Sequence, residues 1–260
     1  KVLIVSINDL NDEAPIFTSD STFTIDENIT AVTTLTTTDA DANSNVTYSI
    51  TGGADASSFA LTEAGVLTIS GTDYESGKTS YEVIVTANDD INTTDQTISV
   101  TIEDVNDNAP VFTSPTSVFV DENTAYVIGI TTSDADAGSN ANYTITGGAD
   151  ADSFAIETTN AIGNLRFTTY PDFESGKTSY EVIVTASDGL NTSNQTISIT
   201  LNDLNDEAPV FTSPSSFTID ENTSAITTLI TTDADANSTV TYSITGGDDP
   251  SEFAVTQDGI

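Results

Sequence analysis

Glu75 to Ala87 reads ESGKTSYEVIVTA, and the same stretch returns unchanged at Glu174 to Ala186, 99 positions later. Within it the apolar period is two: Tyr81, Val83, Val85 and Ala87 alternate with Glu82, Ile84 and Thr86. Successive side chains on a strand point to opposite faces, so this alternation predicts a half-buried strand and not a helix. A second such run follows, with Ile98, Val100 and Ile102 set against Thr97, Ser99 and Thr101. Abundant Thr, Val and Ile, with turn signals at Gly52-Gly53 and Gly147-Gly148, predict an all-β fold of tandem Greek-key antiparallel β-sandwiches with little helix.

Outward from that stretch, other landmarks keep the same spacing. Asn11-Asp12-Glu13-Ala14-Pro15, Asn106-Asp107-Asn108-Ala109-Pro110 and Asn205-Asp206-Glu207-Ala208-Pro209 are 95 and then 99 residues apart. Asp-Glu-Asn triplets begin at Asp26, Asp121 and Asp220, and Asp-Ala-Asp-Ala runs at Asp39, Asp134 and Asp233, with those offsets. The second repeat is four residues longer, and the excess falls between Phe154 and Asp172. Gly163, Asn164 and Pro171 predict a longer turn there, around Asn160 to Pro171. Proline cannot continue a central strand, so each Asn-Asp-x-Ala-Pro segment marks a domain edge. The expected organisation is residues 1–12 as the last strand of a preceding repeat (Lys1 to Ile7) plus linker, repeats at 13–107 and 108–206, and the amino-terminal part of a third at 207–260.

Forty-one Asp and Glu stand against 4 Lys and Arg, a net charge of -37. Such a chain repels phosphate backbones and anionic membranes, so nucleic acid is not an expected partner. Hydrophobic residues make up 37% and recur in organised runs, which predicts folded domains and not disorder. With no cysteine, neither disulfides nor thiolate sites hold the fold. No run of about 18 apolar residues exists, so no membrane insertion is expected in these residues, and export and anchoring signals are expected outside them.

The carboxylates recur at predicted strand ends and linkers. Ca²⁺ takes about six to eight oxygen ligands, and with neither His nor Cys present no transition metal is better served. Along an extended linker, residues two apart share a face about 7 Å apart, so Asp104 and Asn106 can serve neighbouring ions while Asp107 points elsewhere.

These motifs resemble those of the cadherin repeat superfamily over essentially the whole length. The linker Asp104-Val105-Asn106-Asp107-Asn108-Ala109-Pro110 is followed by Phe112. Glu27, Asp73-Tyr74-Glu75, Asp134-Ala135-Asp136 and Ala186-Ser187-Asp188-Gly189 match the family's other ligand motifs. The resemblance implies an Ig-like sandwich architecture, calcium as the cofactor and a three-calcium cluster at each junction. Glu27, Asp73, Glu75, Asp104 and Asp107 would reach up from the first repeat and linker, and Asp134, Asp136 and Asp188 back from the next. The second junction would use Glu122, Asp172, Glu174, Asp203, Asn205 and Asp206, met by Asp233 and Asp235. The amino-terminal one offers Asp9, Asn11, Asp12, Asp39, Asp41 and Asp89, and incomplete occupancy is expected at both ends. Val105, Asn106 and Asn108, with Leu204, Glu207 and Glu13, belong to the same ligand segments. Eight carboxylates at the complete junction, met by three Ca²⁺, would carry about two negative charges instead of eight. Without calcium they should repel and the junction should bend.

The chain departs from the family at Asp26, Asp121 and Asp220, where proline is usual, and at Tyr74 and Phe173, where many members have arginine. It has no Trp, so its repeats cannot use the tryptophan strand exchange of classical cadherins. Tyr48, Tyr143 and Tyr242, with Phe59, Phe154 and Phe253, recur equivalently in each repeat, as core positions do and sugar-stacking ones need not. Asn-x-Ser/Thr sequons at Asn28, Asn45, Asn92, Asn142, Asn191, Asn194, Asn222 and Asn237 permit glycosylation without implying it. No His, no Cys and no glycine-rich phosphate loop leave no usual catalytic apparatus, so no enzyme is expected.

The function this predicts is a calcium-binding extracellular repeat region at the cell surface, a stiff rod in an adhesion protein. Its expected partners are calcium and neighbouring repeats, with other surface proteins or glycans as further candidates. Thr-rich, Lys-poor, nearly identical repeats suggest a prokaryotic adhesin. The alternatives are a structural subunit of a surface filament or layer built on lateral repeat contacts, and an accessory module of a secreted hydrolase.

Overall fold

The alternating stretch at Tyr81 lies on the eighth strand of a sandwich. In chain order the first repeat forms β1 (Ile16–Phe17), β2 (Thr22–Asp26), β3 (Ala31–Thr34), β4 (Thr37–Thr38), β5 (Thr47–Gly52), β6 (Phe59–Leu61), β7 (Val66–Ile69), β8 (Ser80–Asn88) and β9 (Thr93–Glu103). One sheet has the order β2-β9-β8-β5 and the other β3-β7-β6, with β1 paired to β4. The pairing of β2 with β9 is parallel and the rest antiparallel. This computed structural model describes every residue except Asn43. Contacts divide the chain into two units, Lys1–Asn108 with Asp134–Ser139, and Ala109–Ser133 with Asn140–Ile260.

Val83, Val85, Ala87, Ile98 and Val100 have no exposed surface, and Tyr81 and Ile102 are all but covered. These are the inward members of the two alternating runs. Burial of each Val or Ile contributes about 1.5–3 kcal/mol, so this face holds the sandwich together. Tyr48 spans core and edge, its ring packed beneath Phe17 and its hydroxyl 2.9 Å from Thr37 Oγ1. Helix is confined, among the described residues, to four single turns of 3-10 type.

The second unit repeats this plan as β10 (Val111–Phe112), β11 (Ser117–Asp121), β12 (Tyr126–Ile130), β13 (Thr132–Ser133), β14 (Asn142–Gly147), β15 (Phe154–Thr159), β16 (Ile162–Phe167), β17 (Ser179–Ser187) and β18 (Thr192–Asn202). The sheets are β11-β18-β17-β14 and β12-β16-β15. The added residues do not make a longer turn. They lengthen the β15–β16 hairpin to six residues a side against three and four in β6 and β7. Its turn shrinks to Asn160-Ala161, with φ of 51° and 59°. Two successive residues in the left-handed region make a type I′ turn, for which Asn-Gly is the favoured pair. A Cβ in that region costs roughly 1 kcal/mol, so Ala161→Gly is expected to raise stability by about 0.5–1 kcal/mol in urea unfolding. An unchanged or lower midpoint would show that Ala161 carries no strain.

In residues 207–260 only β19 (Val210–Phe211) and β20 (Thr231–Thr232) pair among the described residues. Counterparts of β8 and β9 are not in this stretch, and Phe217, Ile219 and Phe253 stand 43%, 45% and 55% exposed. The strand expected over Lys1 to Ile7 likewise does not form: residues 1–10 carry no strand and Val2, Leu3, Ile4, Val5 and Ile7 are exposed. Its alternation needs a neighbouring strand to pair with, and these residues meet none.

Candidate metal centres

In the first unit, Glu27 follows β2 and is 2% exposed. Its carboxylate is held by two backbone donors, Tyr74 N–H at 2.7 Å and Val105 N–H at 3.0 Å. That ties the end of β2 to the turn before β8 and to the linker after β9. Asp73 caps the 3-10 turn Tyr74–Ser76, accepting from Ser76 N. The turn presents Glu75, whose carboxylate gathers with those of Glu27 and Asp104 within 4.8 Å of one another. Glu75, Asp107 and Asp136 form a second such group.

The second unit builds the same arrangement. Glu122, 1% exposed, accepts from Phe173 N–H at 2.7 Å and Leu204 N–H at 2.8 Å. Asp172 accepts from Ser175 N–H, and Glu122, Glu174 and Asp206 converge within 4.8 Å. At the amino-terminal end Asp39, Asp41 and Asp89 form a comparable group, with Asn11 donating to the Asp89 carbonyl.

Each Asp-Ala-Asp-Ala run docks on its linker by the same two bonds. Ala42, Ala137 and Ala236 N–H donate to Asp9, Asp104 and Asp203 at 2.6, 2.6 and 2.5 Å. Glu13, Asn108 and Glu207 N–H donate to Asp41, Asp136 and Asp235 at 2.8, 2.9 and 3.0 Å. Asp134 and Asp233 then accept from the N–H groups of Asp136 and Asp235. Asp188 orders its own turn, accepting from Leu190 and Asn191 N–H at 2.7 Å each. Asn106, Asn205 and Asp12 lie in the linkers, Asn205 and Asp12 exposed.

One carboxylate oxygen is used in these bonds and the other often is not. Asp39 Oδ2, Asp104 Oδ1, Asp134 Oδ2, Glu174 Oε1, Asp203 Oδ1 and Asp235 Oδ1 are buried with no hydrogen-bond partner. Among the described residues the only other side-chain atoms in that state are Gln96 Oε1 and Ser114 Oγ. A buried anionic oxygen without a donor is costly, two pairs of the six (Asp39 with Asp134, Asp104 with Asp203) are equivalent, and a bound cation would offset that cost. The protonation balance points the same way. Crowding of the carboxyl by its surroundings, then the Glu27 and Asp104 charges, pushes Glu75 up to about 7. Glu174 is pushed up to about 7 by the same burial and by Glu122, Asp203 and Asp235. Burial and neighbouring carboxylates also hold Asp107 and Asp206 above the usual range. The donors are hard oxygens only, so the residues fit calcium.

Sequence reasoning missed Asn28 and Asn123 as supports. Both take left-handed backbone, φ 59° and 57°, and their amides donate to Asp107 and Asp206 at 2.8 and 2.5 Å. The signal was the third residue of each Asp-Glu-Asn triplet, since Asn tolerates that conformation.

Residues 21–103 match the family model described as Cadherin domain. Protocadherin Fat 4 of Homo sapiens aligns with 98% of the chain at 33% identity over 274 residues. The chain belongs to the cadherin repeat superfamily. Cadherin-3 of Caenorhabditis elegans is 32% identical over 254 residues, 93% of the chain. These cadherin repeats span only 6% and 8% of the two relatives' lengths. Among solved structures, mouse Cadherin-23 EC22-24 matches with a TM-score of 0.67 and 25% identity, covering 95% of this chain and 87% of that one. The Protocadherin GammaB4 extracellular domain matches with 0.65 and 27%, covering 97% and 44%. The cadherins and protocadherins among these matches are adhesion proteins, and none carries an enzyme's name. The two relatives named here are animal proteins and give the expected prokaryotic source no support. No helix among the described residues is long and apolar enough to cross a membrane.

Proposed function

We propose that the chain is a calcium-binding, extracellular repeat region of a cell-surface adhesion protein, in which calcium stiffens the linkers into a rod. The observation that carries this is the set of buried, unpartnered carboxylate oxygens in the recurring acidic motifs, with Asp39 matched by Asp134 and Asp104 by Asp203. The proposed ligands in the first unit are Glu27, Asp73, Glu75, Asp104, Asn106, Asp107, Asp134 and Asp136. In the second they are Glu122, Asp172, Glu174, Asp203, Asn205, Asp206, Asp233 and Asp235, and at the amino-terminal end Asp9, Asn11, Asp12, Asp39, Asp41 and Asp89.

The role of each residue follows from its bonds. Glu27 and Glu122 fasten strand end, turn and linker through backbone donors. Asp104 and Asp203 hold the returning Asp-Ala-Asp-Ala run with one oxygen and offer the other. Calcium supplies the positive charge that lets such carboxylates stay ionised side by side. Extracellular modules bind calcium at ~10⁻⁴–10⁻³ M, so occupancy would be high outside a cell and negligible in cytosol. The adhesive partner, a surface protein or glycan, would be met by the assembled protein.

Small-angle scattering in millimolar calcium and after chelation tests this. The expected result is a longer, stiffer particle with calcium, and loss of that change in Asp107→Ala together with Asp206→Ala. Dimensions that ignore calcium would end the stiffening role.

A further inference from the structure

The two complete repeats share one plan but differ on their exposed faces: Phe119 stands 73% exposed on β11 where the first repeat has Thr24, and the β12-β16-β15 sheet differs as well. On β12 the second unit has Tyr126-Val127-Ile128-Gly129, where the first repeat has Ala31-Val32-Thr33-Thr34 and the third Ala225-Ile226-Thr227-Thr228. The lengthened β15–β16 hairpin widens the same sheet. Tyr126 and Ile162 stand 49% and 40% exposed on its outer side. They meet over Gly129, where a Cβ would lie 3.2 Å from Ile162 Cγ2 and 3.3 Å from the Tyr126 hydroxyl. The glycine is thus what lets the tyrosine lie across the strand, where the other repeats keep alanine and threonine.

Beside this patch sits Arg166, the chain's only arginine, opposite Tyr126 on one side and Ala155 on the other. Glu157 is exposed on the same face, opposite Asn164. The ion pairs among the described residues are Lys78–Asp55 and Lys177–Asp150, so Arg166 and Glu157 are in none. One cation and one anion give this face no net charge, on a chain of -37 that repels its own copies elsewhere.

We propose that the outer face of β12-β16-β15 is a self-association surface, on which a second copy docks about a two-fold axis so that Arg166 of each copy meets Glu157 of the other. A two-fold contact requires a self-complementary patch, and one charge of each sign around an apolar, aromatic centre supplies it. Tyr and Arg are also the side chains that dominate protein interfaces. Three strands about 4.8 Å apart, one of five residues and two of six, present roughly 300 Å², well below the ~800 Å² per partner of a stable dimer. The contact is therefore weak between free chains and gains effect where chains are arrayed side by side.

Sedimentation equilibrium of the chain in millimolar calcium, up to about 1 mM protein, tests it. Concentration-dependent dimerisation is expected. Arg166→Glu should weaken it about tenfold, Glu157→Arg likewise, and the two together should restore it, while Tyr126→Ala weakens it without rescue. A monomer throughout, association indifferent to Arg166→Glu, or failure of the charge swap to restore it would overturn the proposal. Binding of an unrelated acidic partner by Arg166 without self-association would overturn it too.

Discussion

Chelation of calcium is expected to lower the unfolding midpoint of the chain by roughly 15–30 °C, more than most single substitutions away from the acidic clusters. A ligand that binds only the folded state stabilises it by RT ln(1 + [L]/Kd), about 1.4 kcal/mol per site when free calcium is tenfold above Kd. Three ions at one junction would then contribute about 4 kcal/mol, and a repeat of this size shifts by roughly 4–8 °C per kcal/mol. The sign is set by the metal-free protein. Glu27 and Glu122 are buried and still face Glu75 and Glu174, so removing the cation leaves repulsion in place and not a neutral gap. Calorimetry in calcium, in magnesium and in chelator gives the comparison. Magnesium demands a smaller octahedral shell and keeps its waters, so it should recover little of the loss. Equal midpoints with and without calcium would mean that the unpartnered oxygens are satisfied by solvent, and the metal reading would fall.

Much of this was legible before any coordinates because period and spacing are local. The alternation at Tyr81 to Ala87 named the buried face of β8, and the recurrence of Asp104 to Pro110 named the linker. Other features depend on partners distant in the chain. Nothing in Phe23 or Ile25 marks β2 as parallel to β9, since strand direction is set by how the sandwich closes. The lengthened hairpin was misplaced as a turn because Gly163, Asn164 and Pro171 are turn formers by type. Gly163 instead sits in β16 against the Tyr143 ring, where a Cβ would come within 2.8 Å. The division of labour within each carboxylate was invisible too. Asp104 reads as a ligand by motif, but that one oxygen is occupied by Ala137 N–H and the other is not depends on a fold-back across 33 residues. Lys1 to Ile7 shows the converse: a strand pattern is an offer of pairing, realised only where a neighbour is present.

Glu174→Gln is expected to act in opposite directions with and without calcium. In the metal-free protein Glu174 titrates at about 7, against 4.5 for an ordinary glutamate, because burial and the Glu122, Asp203 and Asp235 charges disfavour its anion. Between those values the folded chain keeps a proton that the unfolded chain has released, so stability must fall as pH rises through that window. Without calcium the unfolding midpoint should therefore drop between about pH 4.5 and pH 7, and Glu75 adds a parallel contribution in the first unit. Glutamine cannot ionise. The variant should flatten this slope and unfold later than the parent at about pH 8 in chelator, where the parent carries the full repulsion. With calcium the order reverses: the missing anionic oxygen should weaken binding roughly tenfold or more and lower the midpoint. Calcium uptake by the parent should also release protons near neutral pH, because the ion needs the carboxylate that the metal-free state holds protonated. Destabilisation of equal size in both conditions would instead make Glu174 a packing residue, with its raised titration incidental to the fold.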